Sequence, residues 1–218
     1  MSTSASGQKH NESHEPQTPL RQIRALFDEE SITVYQAYNS TIATAAVEFQ
    51  RLDASPSFKT TRMTWIKPSW AWMLYRAAYS FKDPGQERLL ALKMRHGDFV
   101  GLLRKGVLAH RGSENRNGGG VKIQWDPERD VRLERLPHRS IQIGIPPDIC
   151  RDWVATMIVG IEDVTARARE LKRVLEERPG VGDGELVDLG LLPAEKEFEV
   201  PKDVEELLDM NLSERLCD

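Results

Sequence analysis

The stretch "RSIQIGIPPDICRDWVATMIVGIEDVTARARELKRVLEER", residues 139–178, decides the fold class. Its first seven residues alternate, which predicts a strand with Ile141, Ile143 and Ile145 on one face. Ser140, Gln142 and Gly144, with His138 just before them, fall on the other face. "PPDICRDWVA" predicts a short helix, "MIVGIEDV" a second strand, and "TARARELKRVLEER" a long helix stopped by Pro179-Gly180. Toward the N-terminus, "SITVYQAYN" (Ser31–Asn39) is β-branched and aromatic and reads as a strand. "STIATAAVEFQRL" (Ser40–Leu52) follows as a helix with Ser40 or Asn39 as its N-cap. "MTWI" is a short strand, and Pro68 opens a helix running to about Tyr79. "ERLLALKM" is a buried strand, "GDFVGLLRKGVL" a short helix and "VKIQW" a strand, after which Asp126-Pro127 starts a turn. Helices set between strands in this mixed order predict one α+β domain, with a mixed, largely antiparallel sheet and flanking helices. The domain is expected over residues 21–178, after a disordered leader at 1–20. An acidic tail at 179–218, with one helix at "DVEELLDM", is expected to pack on or near it.

Composition bounds the function. At 218 residues, 39% hydrophobic and 29% charged, the chain has the material for one ordinary core. No run of eighteen apolar residues exists, which argues against a membrane span or a membrane partner. The first twenty residues lack the apolar segment of a secretory signal. Cys150 and Cys217 match neither a disulfide framework nor a metal-binding pair. These features predict a cytoplasmic protein, with the nucleus as the alternative. The net charge of −4 hides an asymmetry: from Glu170 onward 15 acidic residues face 6 basic ones, whereas the preceding 169 residues carry 24 basic against 19 acidic. A body at +5 with a tail at −9 suits an anionic ligand for which the tail competes.

The cations gather with aromatics in "TRMTWIKPSWAWMLYR" (Thr61–Arg76), which holds three of the five tryptophans. If Pro68 is the first helical residue, Lys67 sits at the N-cap, where its side chain cannot accept from the free amides below it. Those amides, starting at Ser69 and Trp70, would form an anion site with the helix dipole, with Arg62 and Lys67 adding full charges. Trp72, Tyr75, Arg76 and Tyr79 share one helical stripe, so Trp72 reads as core. Trp65 and Trp70 fall off that stripe and are the candidates for stacking on a ligand.

A second group lies on "LPHRSIQIGIPPD", whose polar face ends in a glycine that allows close approach. His138 is placed there to trade protons near neutral pH, beside Arg139, Ser140 and Gln142. Gln36 on the first strand and Arg24 ahead of it complete the substrate-binding candidates, with Arg76; the catalytic candidates are Lys67 and His138. The carboxylates Asp126, Glu128 and Asp130 read as a structural turn, and no metal site is expected. "RGSENRNGGG" lacks the Lys-Ser/Thr pair of a P-loop and reads as a flexible connection. No nucleophile elbow, zinc-protease, dinucleotide or kinase signature appears.

The segments "QIRALFDEESITVYQAYN", "RMTWIKPSWAWMLYR", "GQERLLAL", "VKIQWDPERD", "LPHRSIQIGI" and "IVGIEDVT" resemble a family catalogued as domain of unknown function 4291, over about residues 22–200. That resemblance implies one domain with a dedicated site and supplies no activity. At the level of fold, "TVYQAY" before a helix, and "SIQIGIPPDI" before "IVGIEDV", look like the ADP-ribosyltransferase arrangement. RNA 2′-phosphotransferases share it and use basic residues and histidine where other members use a glutamate; Gln142 stands near that glutamate's place. The leading expectation is an enzyme acting on a phosphate-bearing nucleotide or an RNA end, by end processing, phosphotransfer or ligation, without a metal. The alternatives are an NAD-dependent ADP-ribosyl-type transferase, with NAD as cofactor, and a non-catalytic module for single-stranded nucleic acid. The expected partner is an anionic small molecule or RNA end.

Overall fold

Secondary structure follows the switches of apolar period between two and about four residues along the chain. The computed structural model describes residues 18–109 and 120–211. Strand β1 (Arg24–Ala25) leads to β2 (Ser31–Tyr38), helix α1 (Ser40–Phe49), β3 (Thr64–Ile66), α2 (Trp70–Ala77) and β4 (Arg88–Arg95). Then come α3 (His96–Leu103), β5 (Gly106–Leu108), β6 (Val121–Arg129), β7 (Arg135–Ile145) and α4 (Pro147–Asp152). The chain continues through β8 (Ile158–Asp163), α5 (Thr165–Glu177), α6 (Asp183–Asp188), β9 (Lys196–Glu197) and α7 (Lys202–Leu207). The architecture is α+β, as the sequence predicts, and every strand pair is antiparallel except β5 with β6.

Two larger sheets carry the fold, β2–β4–β8 and β3–β7–β6–β5, with β1–β9 as a separate ribbon. The larger sheets meet at one isolated bridge. There Tyr35 N–H donates to Lys67 O at 2.7 Å and Lys67 N–H donates to Tyr35 O at 3.3 Å. Lys67 is thereby pinned by its main chain at the seam. Ile141, Ile143 and Ile145 turn into a core shared with Ile32, Val34, Leu90 and Leu92. Each such aliphatic side chain contributes about 1.5–3 kcal/mol by leaving water. On the other face of β2–β4–β8, α2 and α5 bury Tyr35, Trp70, Leu89, Ala168 and Leu171 in a second core.

Asn39 caps α1, its side chain accepting from Ile42 N–H at 3.0 Å. The turn expected at Asp126-Pro127 is instead strand: β6 runs through it, with Pro127 opposite Arg139 beside a register shift. A bulge tolerates a residue with no N–H to donate. The chain reverses after it, where Asp130 Oδ1 accepts from the N–H groups of Arg132 and Glu134 and Leu133 takes a φ of 71°. Beyond Pro179, Val181, Leu186 and Leu191 enter the second core, and Phe198, Val200, Val204 and Leu208 enter the first. The leader expected at 1–20 falls mostly outside the described residues, as does the glycine-rich stretch apart from Gly120. Among the described residues no helix is long and apolar enough to cross a membrane.

Candidate functional site

Strand pairing assembles one polar surface from three strands. Trp65 lies opposite Gly144 and Ile66 opposite Ile143, while Gln124 faces Gln142 and Asp126 faces Ser140. Alternation then puts Trp65, Lys67, Gln124, Asp126, Gln142 and Gly144 on the same side. Gly144 is required there: a Cβ would come within 3.0 Å of both the Trp65 ring and Met63 Sδ. The close approach expected there of a ligand or backbone is instead that of the Trp65 ring and the Met63 sulfur.

This surface lines a cleft of about 440 Å³. Six residues singled out from the sequence meet in its wall: Gln36, Arg62, Trp65, Lys67, Arg76 and Gln142. Lys67 is only 6% exposed. Among the described residues its ammonium has neither a hydrogen bond nor an ion pair. Burial pulls it down to about 8, helped by the Arg76 charge and opposed by Asp126. Arg62 and Arg76 are exposed at the rim and likewise form no ion pair among the described residues. Elsewhere arginines are neutralised, as in Arg88–Asp163 and Arg104–Asp203. Three unpaired cations on one wall repel each other, and an anion between them would relieve that cost.

Gln36 braces the seam. Its Nε2 donates to Thr64 Oγ1 at 2.7 Å and to Trp65 O at 2.9 Å, and its Oε1 accepts from Tyr38 Oη at 2.7 Å. Burial raises the Tyr38 hydroxyl further above its usual range. Gln124, absent from the sequence-based candidates, also lines the cleft. Its signal was the alternation of Lys122, Gln124 and Asp126 on "VKIQWD", the same pattern that marked Gln142.

The other six candidates lie elsewhere. Helix α2 starts at Trp70, and Ser69, rather than Lys67, is its N-cap, with Oγ accepting from Trp72 N–H at 3.1 Å. Trp70 N–H donates to Glu195 Oε1 at 2.6 Å. The helix start anticipated as an anion site is therefore filled by the protein's own carboxyl group. Trp70, expected to face a ligand, is 0% exposed and packs on Tyr35 with ring centroids 5.1 Å apart. It lies off the stripe of Trp72 because α2 is enclosed on more than one side. Trp72 is buried, but the stripe that predicts it is not the core face: Tyr75 and Arg76 on the same stripe are exposed, and the helix turns Trp70, Met73, Leu74 and Ala77 into the second core.

Ser69 Oγ also donates to Glu128 Oε1 at 3.0 Å, which ties the start of α2 to β6. Around that contact lies a second, buried cluster. Burial pushes Glu195 up to about 8, with Glu128 adding to the rise and Trp70 N–H and Arg24 opposing it. Glu128 is also raised by burial, against hydrogen bonds from Arg129 N–H, Ser69 and Ser140. Arg24 donates to Glu195 O at 2.9 Å. His138 belongs to this cluster, its pKa lowered by burial and then by the Arg24 charge. It is four residues along β7 from Gln142, about 13 Å at the usual strand rise. Arg139 turns to the opposite face, donating to Trp125 O at 3.2 Å, and Ser140 is buried. His138 is not among the residues that line the cleft beside Lys67. Among the described residues no group of three or more histidine, cysteine or acidic side chains is arranged to hold a metal.

Residues 22–198 match the family described as "Domain of unknown function (DUF4291)", and the chain belongs to that family. No curated protein matches the chain.

Proposed function

We propose that the cleft beside Lys67 binds the phosphate of a nucleotide or RNA end, and that the chain is an enzyme acting on that group. The observation that carries this reading is the convergence of Arg62, Lys67 and Arg76 on one cleft with no ion pair among the described residues. Such a wall recognises phosphate and stabilises charge that develops on it. Lys67, held at about 8, is mostly charged at neutral pH and gives up its proton just above it. It therefore combines phosphate binding with proton transfer, the role the sequence assigned to His138. Trp65 supplies the flat face for a base or sugar.

Burial of Trp70 and Trp72 removes the extended stacking platform that a single-stranded nucleic-acid module would use. A cleft of this volume suits one nucleotide. The test is a titration of the protein with pyrophosphate, ATP, NAD and short RNAs ending in 5′-phosphate, 2′-phosphate or 2′,3′-cyclic phosphate. Intrinsic fluorescence is followed at two salt concentrations. The expected result is saturable quenching through Trp65 that weakens with salt and is lost in Lys67→Ala. Absence of any response, or an undiminished one in folded Lys67→Ala, would refute the assignment. NAD as the sole quencher would redirect the reading to ADP-ribosyl transfer.

A further inference from the structure

Asp126 fixes the orientation of two amides. Gln124 Nε2 donates to its Oδ1 at 2.8 Å, and Gln142 Nε2 donates to its Oδ2. A carboxylate only accepts, so both glutamines must turn their NH₂ ends toward it. Their carbonyl oxygens then point away, and neither accepts a hydrogen bond from a described residue. Gln124 and Gln142 are register partners, which sets their Cβ atoms about 5 Å apart. Both line the cleft. Gln36 differs, since both ends of its amide are already engaged.

The spacing from the cations is fixed by the sheet. With Ile66 opposite Ile143, Lys67 is next along toward Gln142, and Gln124 lies one strand further. Neighbouring strands are about 4.8 Å apart. A pair of aligned acceptors therefore begins one strand spacing from the buried lysine. A ribose meets that arrangement: it adjoins its phosphate directly and presents two neighbouring O–H donors. An exocyclic base amine sits a whole sugar farther away.

We infer that Gln124 and Gln142 form a sugar subsite whose carbonyls accept from the 2′- and 3′-hydroxyls of a ribonucleotide, making the cleft selective for ribose over deoxyribose. This inference rests on the phosphate reading of the cleft. Asp126 is a positioning residue: it orients both amides from behind.

The test compares pyrophosphate, adenosine 5′-monophosphate, its 2′,3′-dideoxy analogue and inosine 5′-monophosphate by calorimetric titration of the full chain. The dideoxy analogue is expected to bind more weakly by about fivefold for each hydroxyl removed, and the inosine nucleotide to match the adenosine one. Gln142→Leu should reduce the ribose-to-dideoxy ratio by about half on a logarithmic scale. The exposed Gln124→Leu should reduce it by half or more on a logarithmic scale, which covers the case in which Gln142→Leu does not fold. Asp126→Asn, which lets both amides flip, should also reduce the ratio, an effect that a merely structural role would not produce. Equal binding of the ribose and dideoxy nucleotides, with pyrophosphate bound, would overturn the sugar subsite alone. So would a loss confined to the inosine nucleotide, since the donor would then be the base amine. Failure of pyrophosphate and all nucleotides to bind would overturn the subsite together with the phosphate reading.

Discussion

Replacing Lys67 by methionine should make the protein more stable while abolishing its binding of phosphate. Methionine keeps most of the length and flexibility of the side chain without the charge. The bridge to Tyr35 is untouched because it uses only main-chain atoms. The magnitude follows from the proton. In the unfolded chain the lysine titrates near 10.5, whereas burial holds it at about 8 in the fold. At 1.36 kcal/mol per pH unit, the folded state bears a penalty of about 3 kcal/mol for the charged form. A folded pKa below the unfolded one means that the unfolded chain binds more protons between about 8 and 10.5. Stability from this group is therefore complete above 10.5 and is lost as pH falls through 8. Urea unfolding of both proteins at pH 7, 9 and 10.5 provides the assay. Lys67→Met should exceed the wild type by about 2–3 kcal/mol at pH 7, and the advantage should shrink at pH 9 and vanish by pH 10.5. A variant no more stable at pH 7, or an advantage that does not change with pH, would refute the claim that the ammonium is buried without an ion pair among the described residues.

Glu195→Gln keeps an acceptor for Trp70 N–H and removes a carboxyl held at about 8 against an ordinary 4.5. The folded chain holds that proton more tightly, so wild-type stability should fall as pH rises from 4.5 through 8. The variant's advantage should grow over the same window to a few kcal/mol, read from urea midpoints. Trp70→Ala removes a fully buried indole and should cost about 3–5 kcal/mol in chemical denaturation. Trp65→Ala, half-buried at the cleft, should cost far less stability and eliminate the fluorescence response to ligand. Gly144→Ala places a methyl 3.0 Å from the Trp65 ring and should weaken nucleotide binding in calorimetry by tilting the indole, while the circular dichroism spectrum is kept.

Periodicity made most of the fold legible because burial enforces it. Ile141, Ile143 and Ile145 had to share a face, and that face is the core. The same alternation named Gln142 and Gly144 as a polar wall before any partner strand was known. It could not say which neighbours would complete the wall. The antiparallel register that sets Gln124 against Gln142, and Trp65 against Gly144, depends on residues some eighteen and eighty positions apart in sequence, whose pairing no local pattern encodes. Local pattern points to Lys67 for the wrong reason, as a residue that fails to cap a helix, whereas Ser69 is the cap. The importance of Lys67 comes instead from the bridge to Tyr35, which holds a lysine at a sheet seam with no ion pair among the described residues.

Free amides at the start of a helix need an acceptor, and the nearest supply is the chain itself. Here the acidic C-terminal segment provides Glu195, about 125 residues away from its partner Trp70. The basic body and the acidic tail therefore meet locally: one tail carboxyl, Glu195, enters the fold at the start of α2. The cleft side keeps its three cations without an ion pair among the described residues. Asp126 opposes the fall of the Lys67 pKa without forming an ion pair with it. Glu195, held at about 8, accepts from Trp70 N–H as a mostly protonated carboxyl at neutral pH rather than as an anion. Each buried group costs stability when charged, Lys67 as the ammonium and Glu195 as the carboxylate, which is why removing either charge should stabilise the fold.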